Sequence, residues 1–339
     1  MINKTEKEIT QNWEGNEIKV SVTCVAFNHE YCISEALDSF LMQETDFAFE
    51  ILINDDASTD RTVEILKEYE NAYPNIVKPV YQAENQFSQG ANTMAILFPK
   101  IQGEYVAFCD GDDYWIDKDK LKIQVEEIEK YPDIDMCFHS TYKLVDNVRE
   151  EITSRHAEET KVFTPQEVIS GGGVFCPTAS LLFTNRLISS LPDWFQTALP
   201  GDFVSQIMGA ARGGALYLDR PMAVYRVGVE SSWTVGESLK TSKRRQSGLN
   251  KFKEQLDFIN QYLDFKFKDE IEEVLHDANL DFIKTRTIDV SVRAEVYEQN
   301  KASFSVKTKA LWYVLFRNQH LLNSLKFVAT LKDRLLSRA

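Results

Sequence analysis

Gly103-Glu104-Tyr105-Val106-Ala107-Phe108-Cys109-Asp110-Gly111-Asp112-Asp113 decides how this chain reads. The first seven residues read as a short buried strand. Three carboxylates then stand at its carboxyl end, where open α/β sheets place their ligands. Clustered carboxylates repel one another and need a cation to share. Hard oxygen ligands suit Mg²⁺ or Mn²⁺. Such an ion commonly bridges to a diphosphate, so the cluster points to a nucleotide-linked substrate. A solvated acidic turn is the competing reading. A calcium loop of the EF-hand type fails, because the sixth position from Asp110 is Trp115 rather than Gly and the twelfth is Leu121 rather than Glu.

The flanking sequence repeats the same unit. Lys19 to Phe27 is a β-branched run broken by Asn28-His29-Glu30. Tyr31 to Leu41 carries Ile33, Leu37, Phe40 and Leu41 at helical spacing. Phe49 to Ile53 is a second buried strand ending in Asn54-Asp55-Asp56-Ala57-Ser58-Thr59-Asp60, with Ser58 as a candidate cap for a helix bearing Val63, Leu66 and Tyr69. Ile76 to Tyr81 reads as a third strand and Ala91 to Phe98 as a helix. Strands alternating with helices predict an α/β fold whose sheet is largely parallel and covered on both faces. Both acidic clusters then end strands and face one crevice.

Taken in order, these stretches resemble the family 2 glycosyltransferases, inverting enzymes with the GT-A fold. The resemblance rests on Val22 to Asn28, Ser39 to Gln43, Ile53 to Asp60, Asn85 to Gly90 and Gly103 to Trp115; it is dense from Lys19 to Ser140 and thinner to Val227. It implies a GT-A domain over 18–235, with a nucleotide-sugar half (18–140) and an acceptor half (141–235). A polar tail (1–17) precedes it; a helical region (236–306) and a basic amphipathic helix (307–339) follow.

The resemblance also implies roles. Ala26, Phe27, Asn28, Glu30 and Asn85 would line the nucleotide. Asp56 or its neighbour Asp55 would accept a hydrogen bond from a uracil imide, which favours UDP; an Asx turn at the helix start is the structural alternative. Asp110 and Gly111 would lie by the ribose, and Asp112 would bind Mn²⁺ or Mg²⁺, with Asp113 orienting it or reaching the metal through water. Asp202 in Gly201-Asp202-Phe203-Val204 would be the general base for the acceptor hydroxyl, or an ordinary helix cap. Asp193 is its rival, and Asp219 reads as structural. Relatives often carry a His after the strand ending at Val227; none follows here, and Arg226 and Trp233 are left as phosphate or acceptor contacts, with an ion pair and loop packing as the alternatives. His139 reads as a strand-end residue, His29 as near the nucleotide loop or simply on the surface, and Gly171-Gly172-Gly173 as a flexible edge of the acceptor site.

Global numbers fit this reading. A net charge of −14 argues against a general nucleic-acid binder. Five cysteines without a C-x-x-C pair suggest reduced cytoplasmic thiols. The first 13 residues do not read as a signal peptide, and no apolar run reaches the length of a membrane span. Lys307 to Ala339 carries seven basic residues against one acid, with Leu311 to Phe316 and later leucines between them. Such a helix suits an anionic membrane surface, or docking on its own protein or a second subunit. The expectation is a cytoplasmic, metal-dependent inverting transferase, peripheral on the inner membrane face. It would move a sugar from a nucleotide-sugar to a saccharide or lipid-linked saccharide of a bacterial surface polysaccharide. Two other classes stay open: a sugar-nucleotide nucleotidyltransferase, which would need a basic Gly-rich loop where Phe27-Asn28-His29-Glu30 stands, and an inactive saccharide-binding module.

Overall fold

Strand β1 (Ile18–Ala26) is apolar and buried over most of its length, as a central strand flanked on both faces must be. A computed structural model describes residues 4–145, 148–198, 200–229, 232, 235–236 and 239–315. In it β1 pairs in parallel with β2 (Ala48–Asp55) and β4 (Tyr105–Phe108), and β2 with β3 (Val77–Tyr81). Helix α1 (Glu6–Thr10) is a capped amino-terminal turn. The first crossover helix, α2 (Ile33–Leu41), buries Ile33, Ala36, Leu37, Phe40 and Leu41. The second, α3 (Thr62–Ala72), buries Leu66 and Tyr69. The register aligns Ala26 with Asp55, and Asp55 with Tyr81. The loops leaving β1, β2 and β4 therefore emerge from one edge of the sheet.

The second half departs from the parallel expectation. Short β5 (Tyr114–Trp115) and helix α4 (Lys120–Ile128) lead to β6 (Met136–Val145). Strands β7 (Val148–Thr153) and β8 (Lys161–Phe163), then helix α5 (Pro165–Ser170), lead to β9 (Leu182–Thr184), α6 (Asn185–Ile188), α7 (Gly201–Ala210) and β10 (Ala215–Arg226). The sheet order is β3-β2-β1-β4-β9-β6-β10-β5, with β7 beside β6 and β8 beside β10. β10 and β6 run parallel, but β9 is antiparallel to both β4 and β6, and β5 to β10. The cause is where β9 starts. Its approach, residues 178–181, lies at the carboxyl end of β4, where Phe108 N–H donates to Leu181 O. From there the chain can only run back down the sheet.

Two local expectations are corrected. Ala91 to Phe98 is no α-helix: the chain forms a 3₁₀ stretch over Ala95–Lys100, interrupted by Pro99, and Asn92 is tied by N–H to Gln196 O. Ser58 does not cap α3. Its hydroxyl accepts from Asn28 N–H, while the Asp60 carboxylate accepts from Thr62 N–H at the helix start.

By its contacts the chain divides into two compact units, Met1–Leu239 with Asp257–Ile271, and Lys240–Leu256 with Glu272–Ala339. Helices α8 (Ser242–Tyr262), α9 (Lys268–Lys284), α10 (Val290–Asn300) and α11 (Val306–Leu315) make the carboxyl-terminal part. In the second unit Tyr297 stacks on Phe304 and Trp312 beside Phe282, Ile283, Val292 and Val296. In the first, Trp194 stacks on Phe258. Among the described residues no helix is long and apolar enough to cross a membrane. Residues 316–339 of the expected basic helix, and Trp233, lie outside the described residues.

Candidate active site

The nucleotide side is a set of loops locked to one another. Asn28 adopts φ 54°, a left-handed conformation that asparagine tolerates better than most residues. Its Oδ1 accepts from Thr59 N–H at 2.8 Å. Glu30 N–H donates to Asp60, and Glu30 Oε2 accepts from Arg61 N–H. The two aspartates after β2 separate in role. Asp56 is buried, and its Oδ1 and Oδ2 accept from Gln86 N–H (2.7 Å) and Phe87 N–H (3.1 Å), while Asn85 Nδ2 donates to its carbonyl. Asp55 is also buried; Oδ2 accepts from Ser58 N–H, but Oδ1 has no partner. Burial pushes its carboxyl up, opposed by the Ser58 hydrogen bonds. Asp55 therefore carries both the turn-capping contact and a buried oxygen without a partner.

The acidic loop is closely packed at its second position, Gly111. A Cβ on Gly111 would lie 2.8 Å from His29 Nδ1 and 2.9 Å from Ile33 Cδ1. His29 is thus buried under the loop, not on the surface, and its Nδ1 has no partner. Asp113 Oδ1 accepts from Arg226 N–H at 2.8 Å, which makes Asp113 a brace between the loop and the end of β10. The Arg226 guanidinium pairs with Glu35, donates to Asp112 O (2.7 Å) and lies 4.6 Å over the Tyr114 ring. The ion-pair alternative holds for Arg226: its donors are directed into the chain. Burial and the neighbouring Asp112 push Asp113 well above the usual carboxylate range. Burial, Asp112 and Asp202 do the same to Asp110.

That repulsion is the chemistry a cation relieves. Among the described residues no three or more His, Cys, Asp or Glu side chains form a ready cage. Mg²⁺ and similar ions use one or two carboxylates plus substrate phosphates, so the partly exposed Asp112 fits such an ion without a cage.

Asp202 sits in the first turn of α7. It is not the cap residue. Oδ1 accepts from Phe203 N–H (2.8 Å) and Oδ2 from the Thr178 hydroxyl (3.1 Å). Burial raises its carboxyl, and these two bonds oppose the rise. The charge of Asp202 adds to burial and Asp112 in raising Asp110. Asp193 is exposed on a 3₁₀ turn over Asp193–Thr197. Asp219 is gripped by Arg155 at 2.9 and 2.7 Å and by Tyr217 OH, a structural arrangement. His139 is a fully buried residue in the middle of β6, not at its end. The glycine stretch at 171–173 leads to exposed Val174, and Gln206 of α7 donates to Cys176 O behind it. Thr178 and Gln206 carry no sequence signal of their own; their roles come from turns that only the fold brings together.

This half-parallel sheet, with two acidic loops at one edge, is the fold of a GT-A glycosyltransferase. The family model for glycosyl transferase family 2 matches residues 21–187 of this chain. An uncharacterized protein of Mycobacterium tuberculosis is 31% identical over 63% of this chain and 60% of its own length. The poly(ribitol-phosphate) beta-N-acetylglucosaminyltransferase TarS of Staphylococcus aureus is 32% identical over 34% of this chain and 19% of its own length. The chain thus spans less than two thirds of these relatives. The structure of S. aureus TarS 1–349 with UDP-GlcNAc superposes with TM-score 0.55 at 19% identity, covering 84% of this chain and 85% of that one; at that identity the likeness is one of fold.

Proposed function

We propose that this chain transfers a sugar, with inversion, from a UDP-sugar to a saccharide or lipid-linked saccharide acceptor of a bacterial surface polysaccharide. What supports the reading is the nearness of two carboxylate sets, Asp110 and Asp112 on the strand-end loop and Asp202 on α7, such that the charge of Asp202 helps raise Asp110. The unpartnered Oδ1 of Asp55 suits an imide N–H of uracil. Asp112 would hold Mn²⁺ or Mg²⁺, which when bound neutralises charge growing on the diphosphate. Asp202 takes the proton of the acceptor hydroxyl as its oxygen bonds the anomeric carbon and the bond to the nucleotide breaks on the other face. The nucleotidyltransferase reading lacks support, since Phe27 to Glu30 supplies no cationic loop for a triphosphate.

Asp202→Asn keeps the shape and removes the proton acceptor. Transfer from the donor should fall by roughly 10²-fold or more while donor affinity holds. Transfer near the wild-type rate would move the base elsewhere. The basic segment Lys307 to Ala339 is part of the same proposal, as an attachment to an anionic membrane. Each cation near such a surface contributes on the order of 1 kcal/mol, so binding should weaken with salt. Co-sedimentation with phosphatidylserine vesicles should be lost when residues after Leu315 are removed, a cut that spares Trp312 stacked on Tyr297; a full-length chain that stays in the supernatant at low salt would contradict attachment.

A further inference from the structure

Asp202 is held at both oxygens. Oδ1 is anchored to its own helix through Phe203 N–H, and Oδ2 to Thr178 Oγ1 on a different segment. Two anchors on two oxygens fix the plane of the carboxylate and leave one acceptor site on each oxygen. The anchor on Thr178 is only as good as the turn that carries it. That turn, Thr178–Ser180, is a 3₁₀ element closed by Ser180 N–H to Pro177 O (2.9 Å), Ser180 Oγ to Pro177 O (2.6 Å) and Leu181 N–H to Thr178 O (3.1 Å).

Buried side chains grip the same turn from outside. Trp115 Nε1 donates to Ala179 O at 3.0 Å, and Gln124 Nε2 to Ser180 O at 2.8 Å. Between them lies Lys120, with no exposed surface; its Nζ donates to Gln124 Oε1 at 2.6 Å and sits 4.1 Å over the Trp115 ring. Trp115 follows Asp113 by two residues. One clamp therefore references both the acidic loop and the turn that touches Asp202.

We infer that Thr178 is a positioning residue that orients Asp202 toward the acceptor hydroxyl, on a turn fixed to the acidic loop through Trp115, Lys120 and Gln124. This rests on the reading of Asp202 as the base. A hydroxyl that donates to a carboxylate favours its charged form. Losing it should raise the Asp202 pKa, already raised by burial. The charge of Asp202 raises Asp110, while on Asp202 itself the Phe203 N–H and the Thr178 hydroxyl oppose the rise due to burial. The acid limb of the rate profile would then move to higher pH.

UDP-, GDP-, dTDP- and CMP-sugars are screened by melting temperature with Mn²⁺, and hydrolysis of whichever binds, with water as acceptor, is followed against pH. Thr178→Val should lower kcat on the order of tenfold, leave KM for the donor in place and shift the acid limb upward. Thr178→Ser, which keeps the hydroxyl, should restore the wild-type limb. An unshifted limb in Thr178→Val, loss of donor binding in it, or a Ser variant that behaves like Val would overturn the inference. Asp202→Asn run beside them separates the two claims. If it hydrolyses donor normally, or if no nucleotide-sugar binds the wild type, the base reading fails; if it is inactive and Thr178→Val is unchanged, only the role of Thr178 fails.

Discussion

At the scale of single residues, the site depends on close approach rather than on many ligands. Gly111 is the sharpest case. Its backbone N–H donates to Val25 O, and the space beside its Cα is filled by His29 and Ile33. Gly111→Ala should cost about 1–3 kcal/mol, the usual range for overpacking a tight core, and should weaken nucleotide binding by displacing Asp112. Urea unfolding and UDP calorimetry with Mn²⁺ check this. His29→Ala opens the space, so in that background Gly111→Ala should cost less, a coupling a double-mutant cycle measures directly. Additive costs would mean the two residues do not press on each other. The aspartates give the companion lesson. Asp55, Asp56, Asp112 and Asp113 all stood out in the sequence as carboxylates at strand ends. Their division of labour did not, because it turns on which backbone N–H groups come near. The amides of Gln86 and Phe87 take Asp56, that of Arg226 takes Asp113, and Asp55 keeps an oxygen free.

At the scale of elements, the first half of the sheet was legible because each strand, its acidic loop and its helix are contiguous in the chain. The second half was not. β9 is three residues long and enters between β4 and β6, so its direction follows from tertiary contacts and not from periodicity. Helix α4 shows what those contacts demand. Lys120 lies at its first position, fully buried among Trp115, Gln124 and Cys137. Burial pushes its ammonium down to about 7. The unfolded chain, with an ordinary lysine pKa, then binds more protons between about pH 7 and 10, so this group makes stability rise with pH across that window. The slope is at most about 1.4 kcal/mol per pH unit. Lys120→Met fills similar space without a charge. Compared by urea midpoint, the variant should stand best against the wild type near pH 6.5 and lose ground by pH 8.5. A difference that stays flat with pH would mean Lys120 titrates normally.

At the scale of the whole molecule, a region matching the family 2 glycosyltransferase model precedes a run of helices, and its two acidic loops leave one edge of the sheet. The central claim is that this edge holds a nucleoside diphosphate through a divalent ion on Asp112. Isothermal calorimetry of UDP with the wild type and with Asp112→Asn, each with Mn²⁺ and then with the ion chelated, tests it most directly. Binding by the wild type should need Mn²⁺ and be lost in Asp112→Asn, whose melting curve should stay close to that of the wild type. Equal UDP affinity in both proteins, unaffected by chelation, would contradict it.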